Sequence, residues 1–413
     1  MKTNRLFILF TLVSTLAFAQ DISIEKLQKH IGFLASDSLH GRGTGTPDEQ
    51  KAAAYIASAF RDLGLGYLPG QKEYVIPFSF RKTKDPHGNE TDTTAPRTQS
   101  MNVAGLINCN KPYTICIGAH FDHLGLGHDK NSLDANPEGK IHNGADDNAS
   151  GVAGILELAR YYSGARKNKL RYNLAFVCFS GEELGLIGSK KFVEANVLDT
   201  ASIQLMINLD MVGRLNDSTQ KVMVYGTGTS LPLHRIADEA NQHLVLVKDS
   251  SGMGPSDHTS FYLKRVPVLH FFTGQHKDYH KPDDDAAKIN YPGEKKVLEY
   301  IAGVIDRVNE EPKMAFLKTR DAQSGQKVSF KVTLGIMPDY SFEGKGIKVD
   351  GVTEGKPAFR AGVLQGDIIL QLGEISTADM SSYMKALGTF QKGSATRVKV
   401  SRKGEEKWLE VTF

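Results

Sequence analysis

"YNLAFVCFSGEELGLIGSKKF", residues 172–192, decides how the chain is read. Phe176, Val177, Cys178 and Phe179 form a continuous apolar run of the kind a buried strand needs; the run ends on two adjacent carboxylates, Glu182 and Glu183. A helical pattern then resumes through "IGSKKFVEAN". The same alternation continues on both sides. Upstream are "TICIGAHFD" and a helix through "SGVAGILELARYYSG"; downstream are "QLMINLDMVGR", a helix through "LPLHRIADEANQHL", the run "VPVLHFF" and a final helix near 293–308. Apolar runs alternating with helices predict an α/β fold: a mostly parallel mixed sheet, buried, with helices on both faces.

In open parallel sheets ligands bind beyond the carboxyl ends of the strands, so the residues leaving each run matter most. "IGAHFDH" leaves with His120 and Asp122, "NGADDNASG" brings Asp146 and Asp147, "FSGEE" brings Glu182 and Glu183, "NLDMVGR" brings Asp210, and "DYHKPDD" brings Tyr279 and His280. Imidazoles and carboxylates recurring at successive exits repel one another unless cations hold them. Two histidines with three carboxylates, one of them bridging, suit two divalent ions about 3.5–4 Å apart, with zinc the leading candidate.

These motifs, with "GPSDHTSF", resemble those of the co-catalytic zinc aminopeptidases of peptidase family M28, in the family's order, across roughly residues 30–308. The resemblance implies two Zn2+ per chain: His120 and Asp210 on one ion, Glu183 and His280 on the other, Asp147 bridging, and Asp122 orienting His120. It implies Glu182 as the general base and Tyr279 as a stabiliser of the oxyanion, the alternative for Tyr279 being a packing aromatic. Asp257 and His258 match a motif near the substrate cleft, and Arg214 either contacts substrate or pairs with an acid. His123, His128 and His142 are expected on loops or the rim, and Asp146 behind the ligands or in a turn.

The first 19 residues read as a signal peptide: Lys2 and Arg5, an apolar stretch from Leu6 to Leu16, then Ala17-Phe18-Ala19 before Gln20. Export to the periplasm or the extracellular space is the expectation, and no later segment is apolar enough to span a bilayer. With 50 basic and 47 acidic side chains, falling to 48 and 47 once Lys2 and Arg5 are removed, the charge balance offers nothing to nucleic acid or a membrane surface. Three cysteines, Cys109, Cys116 and Cys178, give no disulfide framework.

Thr46, Pro47 and Glu49 read as the capped start of a helix, which makes the glycines of "GRGTGT" turn and cap residues. Residues 81–100 read as an exposed loop. The organisation expected is signal 1–19, peptidase-like domain 20–310, linker 311–324 and a second domain over 325–413. That last stretch resembles a PDZ domain through "TLGIM" and "PAFRAGVLQGDIILQLGE"; Leu334, Gly335 and Ile336 would form its carboxylate-binding loop for the C-terminus of a peptide. The whole reads as an exported di-zinc aminopeptidase acting on peptides. Alternatives are a carboxypeptidase using Arg214, a glutaminyl cyclase with one metal, and an inactive scaffold that binds peptides.

Overall fold

Eight strands of the first domain form one sheet. The computed structural model describes residues 21–81, 96–129, 131–319, 332–338, 342, 344–352, 355–378 and 380–413; the expected signal peptide, the centre of the 81–100 stretch and residues 320–331 lie outside them. In chain order the first domain runs α1 (Ile24–Leu34), α2 (Pro47–Asp62), β1 (Val75–Arg81), β2 (Arg97–Ile107), β3 (Thr114–His120), α3 (Gly151–Tyr162), β4 (Asn173–Phe179) and α4 (Ile187–Glu194). It continues with β5 (Ile203–Leu209), β6 (Lys221–Tyr225), α5 (Leu233–Ala240), β7 (Val245–Lys248), α6 (His258–Tyr262), β8 (Val268–Phe272) and α7 (Tyr291–Glu310).

β4, β3, β5 and β8 are adjacent and mutually parallel, so their carboxyl ends share one edge of the sheet. Across the sheet the order is β1-β2-β4-β3-β5-β8-β6-β7; β1 pairs antiparallel with β2, β2 with β4 and β6 with β8, while β7 runs parallel to β6, which makes the sheet mixed. Every residue of β3, β5 and β8 is buried, and one core packs on each face: Ile117, Phe176, Ile207 and Leu269 against α3 and α7 on one side, Cys116, Val177, Met206 and Val268 on the other. Successive side chains of a strand point to opposite faces, which sends Ile117 and Cys116 to different cores. All three cysteines are free, two of them in these cores.

The N-cap of α2 forms as its sequence implies: the Glu49 amide donates to Thr46 Oγ1 (3.2 Å) and Glu49 Oε2 accepts from the Gly45 amide (2.8 Å). Glu49 also reaches inward. Its other oxygen accepts from the Ser100 and Ser180 hydroxyls, tying α2 to β2 and to the exit of β4; burial is the first cause that pushes its carboxyl up to about 7.

Strands β6 and β7, at one end of the sheet, have no counterpart in the sequence reading, since runs of five and four residues, half-exposed in β7, carry too little pattern. The expected linker also differs from the structure. Residues 311–319 are seated on the first domain: Met314 N donates to Gln204 Oε1 (3.0 Å), Leu317 N to Thr229 O (2.8 Å), and Thr319 N to the Tyr262 hydroxyl (3.0 Å).

The C-terminal domain has its own core, including Leu334, Val349, Ile369, Leu387 and Val398. Its sheet runs β14-β13-β11-β10-β9, from β9 (Ile336–Pro338), β10 (Ile347–Val352), β11 (Ile368–Leu372), β13 (Ala395–Arg402) and β14 (Glu405–Thr412), with β12 (Ile375–Ser376) paired to β11. α8 (Pro357–Arg360) and α9 (Met380–Leu387) complete it. Gly335 holds φ +74°, and a Cβ there would meet the Lys356 side chain at 2.2 Å. Its amide is taken by Thr333 Oγ1 (3.0 Å), Leu334 is buried, and Ile336 opens β9.

One buried charge tests the energetics. Glu294, in the first turn of α7, is fully buried and neither carboxyl oxygen has a hydrogen-bond partner; burial first, then the charges of Asp146 and Glu157, hold it well above its ordinary 4.5. Folding favours its protonated form, which costs free energy only where the unfolded chain has it ionised. Glu294→Gln should therefore raise the melting temperature at about pH 8 and progressively less toward acid. Equal shifts at both ends of that range would show that charge is not the cause.

Candidate metal centre

The shared edge of β4, β3, β5 and β8 gathers six of the expected residues. His120 ends β3, Glu182 and Glu183 follow β4, Asp210 follows β5, and His280 lies in the segment after β8. Asp147 comes from the turn before α3. That turn is tight: Gly144 sits at φ +55°, and a Cβ there would lie 2.2 Å from Asp147 O and 2.5 Å from the His123 ring. Only glycine fits.

Asp147 divides its two oxygens between two imidazoles. Oδ1 is 3.3 Å from His120 Nε2 and Oδ2 is 3.2 Å from His280 Nε2. On the first side Asp210 Oδ1 stands 3.5 Å from His120 Nε2; on the second Glu183 Oε2 stands 3.2 Å from His280 Nε2. One donor atom each from His120, Asp147 and Glu183 also lie within 4.8 Å of one another, so the halves adjoin.

Each histidine is oriented through its other nitrogen. Asp122 O lies 3.2 Å from His120 Nδ1, and Asn131 O lies 2.9 Å from His280 Nδ1. Carbonyl partners put the proton on Nδ1, leaving each Nε2 lone pair aimed at carboxylate oxygens. Lone pair facing lone pair is repulsive unless a cation stands between them. Tetrahedral zinc, with bonds of roughly 2.0–2.1 Å, spaces neighbouring donors by about 3.3 Å, close to the four separations above. The donor set fits a pair of divalent ions.

Without metal, a proton on each Nε2 meets the same need, and the surrounding charges favour one. Burial lowers the basicity of His120, but Asp210 and Glu182 outweigh it and hold the imidazole well above its usual range; for His280, burial is outweighed by Glu183 and Asp147. Burial pushes Asp147 and Glu183 up, yet hydrogen bonds from His120 and His280 hold Asp147 far below the carboxylate range, and His280 brings Glu183 to about 2. Glu182 goes the other way. Burial, then Glu183, Asp210 and Asp257 against the opposing pull of His120, hold it well above that range. Two adjacent glutamates are thus pushed in opposite directions, Glu183 toward the anion and Glu182 toward the protonated form.

Several expected residues sit elsewhere than proposed. Asp122 meets His120 through its carbonyl, its carboxylate Oδ1 being 3.7 Å away; that carboxylate instead accepts the Glu182 amide (3.2 Å) and the Thr44 hydroxyl (2.7 Å). Asp257 and His258 do not line an open cleft. Both are fully buried, His258 stacking on His270 at 4.5 Å between centroids and Asp257 pushed up by burial to about 7. Arg214 pairs with Asp278 (3.1 Å), the second of its two alternatives. Tyr279 stacks on His280 at 3.9 Å and packs against Met211, Met223 and Phe272. Asp146 stands behind the centre, accepting Gly213 N (2.7 Å) on Oδ1 and facing His276 Nε2 (3.2 Å) with Oδ2.

His128 is on the surface as expected; His123 and His142 are buried. His123 Nδ1 lies 2.8 Å from Glu183 Oε1, which leaves Oε2 to face His280. His142 Nε2 lies 2.7 Å from the Ser132 hydroxyl. Residues missed altogether are Asn131, whose Nδ2 donates to Glu183 O (2.6 Å), and Ser256, whose hydroxyl donates to Asp210 Oδ2 (2.7 Å). "GPSDHTSF" flagged the neighbourhood of Ser256; nothing local flags Asn131.

Residues 102–305 match the family model "Peptidase family M28", and residues 318–413 match "PDZ domain". The chain carries an M28 peptidase domain. Alkaline phosphatase isozyme conversion protein of Escherichia coli (strain K12) is 32% identical over 174 residues, 41% of this chain and 46% of that protein. Aminopeptidase YwaD of Bacillus subtilis (strain 168) is 26% identical over 234 residues, 53% of this chain and 47% of that protein. The chain spans about half the length of these relatives. Among solved structures, BSAP, a zinc aminopeptidase from Bacillus subtilis, shares the fold with a TM-score of 0.55 at 17% identity, covering 73% of this chain and 99% of that one. Every ligand-type residue of the M28 centre falls within the matched segment, whereas α1, α2 and the loop between them, which bring Thr44 to Asp122, precede it. Among the described residues no helix is long and apolar enough to cross a membrane.

Proposed function

We propose that the protein is an exported di-zinc aminopeptidase that releases N-terminal residues from peptides. The observation that carries this reading is the Asp147 carboxylate divided between His120 and His280, with one further carboxylate, Asp210 or Glu183, on each side. His120, Asp147 and Asp210 would hold one ion, and His280, Asp147 and Glu183 the other. When bound, the ion pair polarises the scissile carbonyl and lowers the pKa of the attacking water.

The remaining chemistry belongs to the chain. Glu182, its backbone fixed by the Asp122 carboxylate, takes a proton from the attacking water and returns it to the leaving amine. Glu183 and Asp210, the charges that hold the Glu182 proton, would be neutralised in holding the ions, which would favour the ionised base. Tyr279 packs its ring on His280 and supports the oxyanion. Arg214 holds Asp278 through Nη2, the acid-pairing alternative rather than the carboxylate-binding one a carboxypeptidase would use. The leader over residues 1–19 supports export to the periplasm or beyond.

Chelation should abolish hydrolysis of an aminoacyl amide, and zinc should restore it with two ions per chain by elemental analysis. One ion at full activity would refute the paired centre. The C-terminal domain supplies a second expectation: if it captures peptide C-termini, longer substrates with a free carboxylate should show lower KM than their amidated twins, with kcat unchanged. Equal KM for both members of each pair would leave that domain without a role in substrate capture.

A further inference from the structure

The turn that carries Asp147 is held from two sides by buried charges that do not pair with each other. Arg42 is wholly buried, and its guanidinium directs all five of its N–H groups at main-chain carbonyls: Nε to Phe121 O (2.7 Å), Nη1 to Leu34 O (3.1 Å) and Asn143 O, Nη2 to Gly144 O (2.6 Å) and Asp147 O (3.4 Å). Three of the five acceptors belong to residues 143–147. From the other side comes Asp284, also wholly buried. Its Oδ2 accepts from the amides of Asp146 (2.9 Å) and Asp147 (3.0 Å), and its carbonyl accepts from Ala145 (2.9 Å). Carbonyls of the turn face a cation and its amides face an anion.

Each buried ion is costly to desolvate, and charge-assisted hydrogen bonds to oriented backbone groups offset that cost only in one backbone arrangement. That arrangement is the one that presents Asp147 Oδ1 to His120 and Oδ2 to His280. A turn free to rotate would offer both oxygens to one side. We propose that Arg42 and Asp284 are positioning residues that clamp this turn and thereby let one carboxylate serve two ions. The proposal rests on the paired centre proposed above.

The test is zinc stoichiometry and stepwise affinity on the full chain, with the visible spectrum of the cobalt-loaded protein and a melting curve of the metal-free protein as controls. Asp284→Ala and Arg42→Lys, whose ammonium cannot reach five carbonyls, should each weaken binding of the second ion by roughly 10- to 100-fold and alter the cobalt spectrum. Asp284→Asn keeps an acceptor oxygen for the two amides but loses the charge, and should fall between wild type and Asp284→Ala. Two ions with wild-type affinity and an unchanged spectrum in either folded variant, whatever its melting temperature, overturns the clamp while leaving the paired centre standing. If Asp284→Ala does not fold, Arg42→Lys decides alone. One ion on the wild type overturns the paired centre and the clamp together.

Discussion

Glu182→Gln should lower turnover of a small aminoacyl amide by roughly 10²–10⁴ while leaving two zinc ions per chain, because the amide keeps size and polarity but cannot take a proton. The expectation depends on Glu182 standing apart from the donors. The close contacts of the centre run among His120, Asp147, Asp210, Glu183 and His280, and the Asp122 carboxylate fixes the Glu182 backbone rather than its side chain. The neighbouring change should behave oppositely. Glu183→Gln removes one unit of negative charge from the side facing His280, so zinc content should fall and excess zinc should recover part of the activity. Zinc content and turnover measured on both variants separate holding a cation from moving a proton. If Glu182→Gln loses metal while Glu183→Gln keeps it, the two roles are reversed.

Asp147→Ala should be more severe than either. Both halves of the centre draw an oxygen from this side chain, so its removal leaves each with one histidine and one carboxylate, and zinc should fall below one ion per chain with no rescue by excess metal. Losing a shared ligand differs from losing a private one. Asp210→Ala, which strips only the His120 side, should retain an ion on the His280 side. Elemental analysis of the two variants after the same dialysis checks this: equal retention would mean that Asp147 is not shared and that the division of its oxygens has no chemical consequence.

Much of this centre is legible in sequence because its parts are local. An apolar run that becomes a parallel strand ends where the residues stop being apolar, so His120, Glu183 and Asp210 could be placed at one edge before any contact was known. The helix cap at Thr46 is local in the same sense, its partner lying three residues away. Strands β6 and β7 are not legible because their four or five residues are too few to establish a period.

What held these donors in place had no local signature. Arg42 acts on carbonyls 79 to 105 residues away, apart from Leu34, and every residue has a carbonyl, so no residue type marks its partners. Asp284 grips amides, which are as anonymous, from more than a hundred residues downstream. The sequence places His123 on a loop or the rim, since a histidine one residue after Asp122 has no fixed direction until the backbone turns; the fold turns it inward onto Glu183. Asp257 and His258 went the other way, from an expected cleft wall into the interior. Residue type and order along the chain determined which chemistry could assemble at the sheet edge; which side chains face the ions, which face backbone and which are simply buried was decided only when distant segments packed together, because direction and burial belong to the contact and not to the residue.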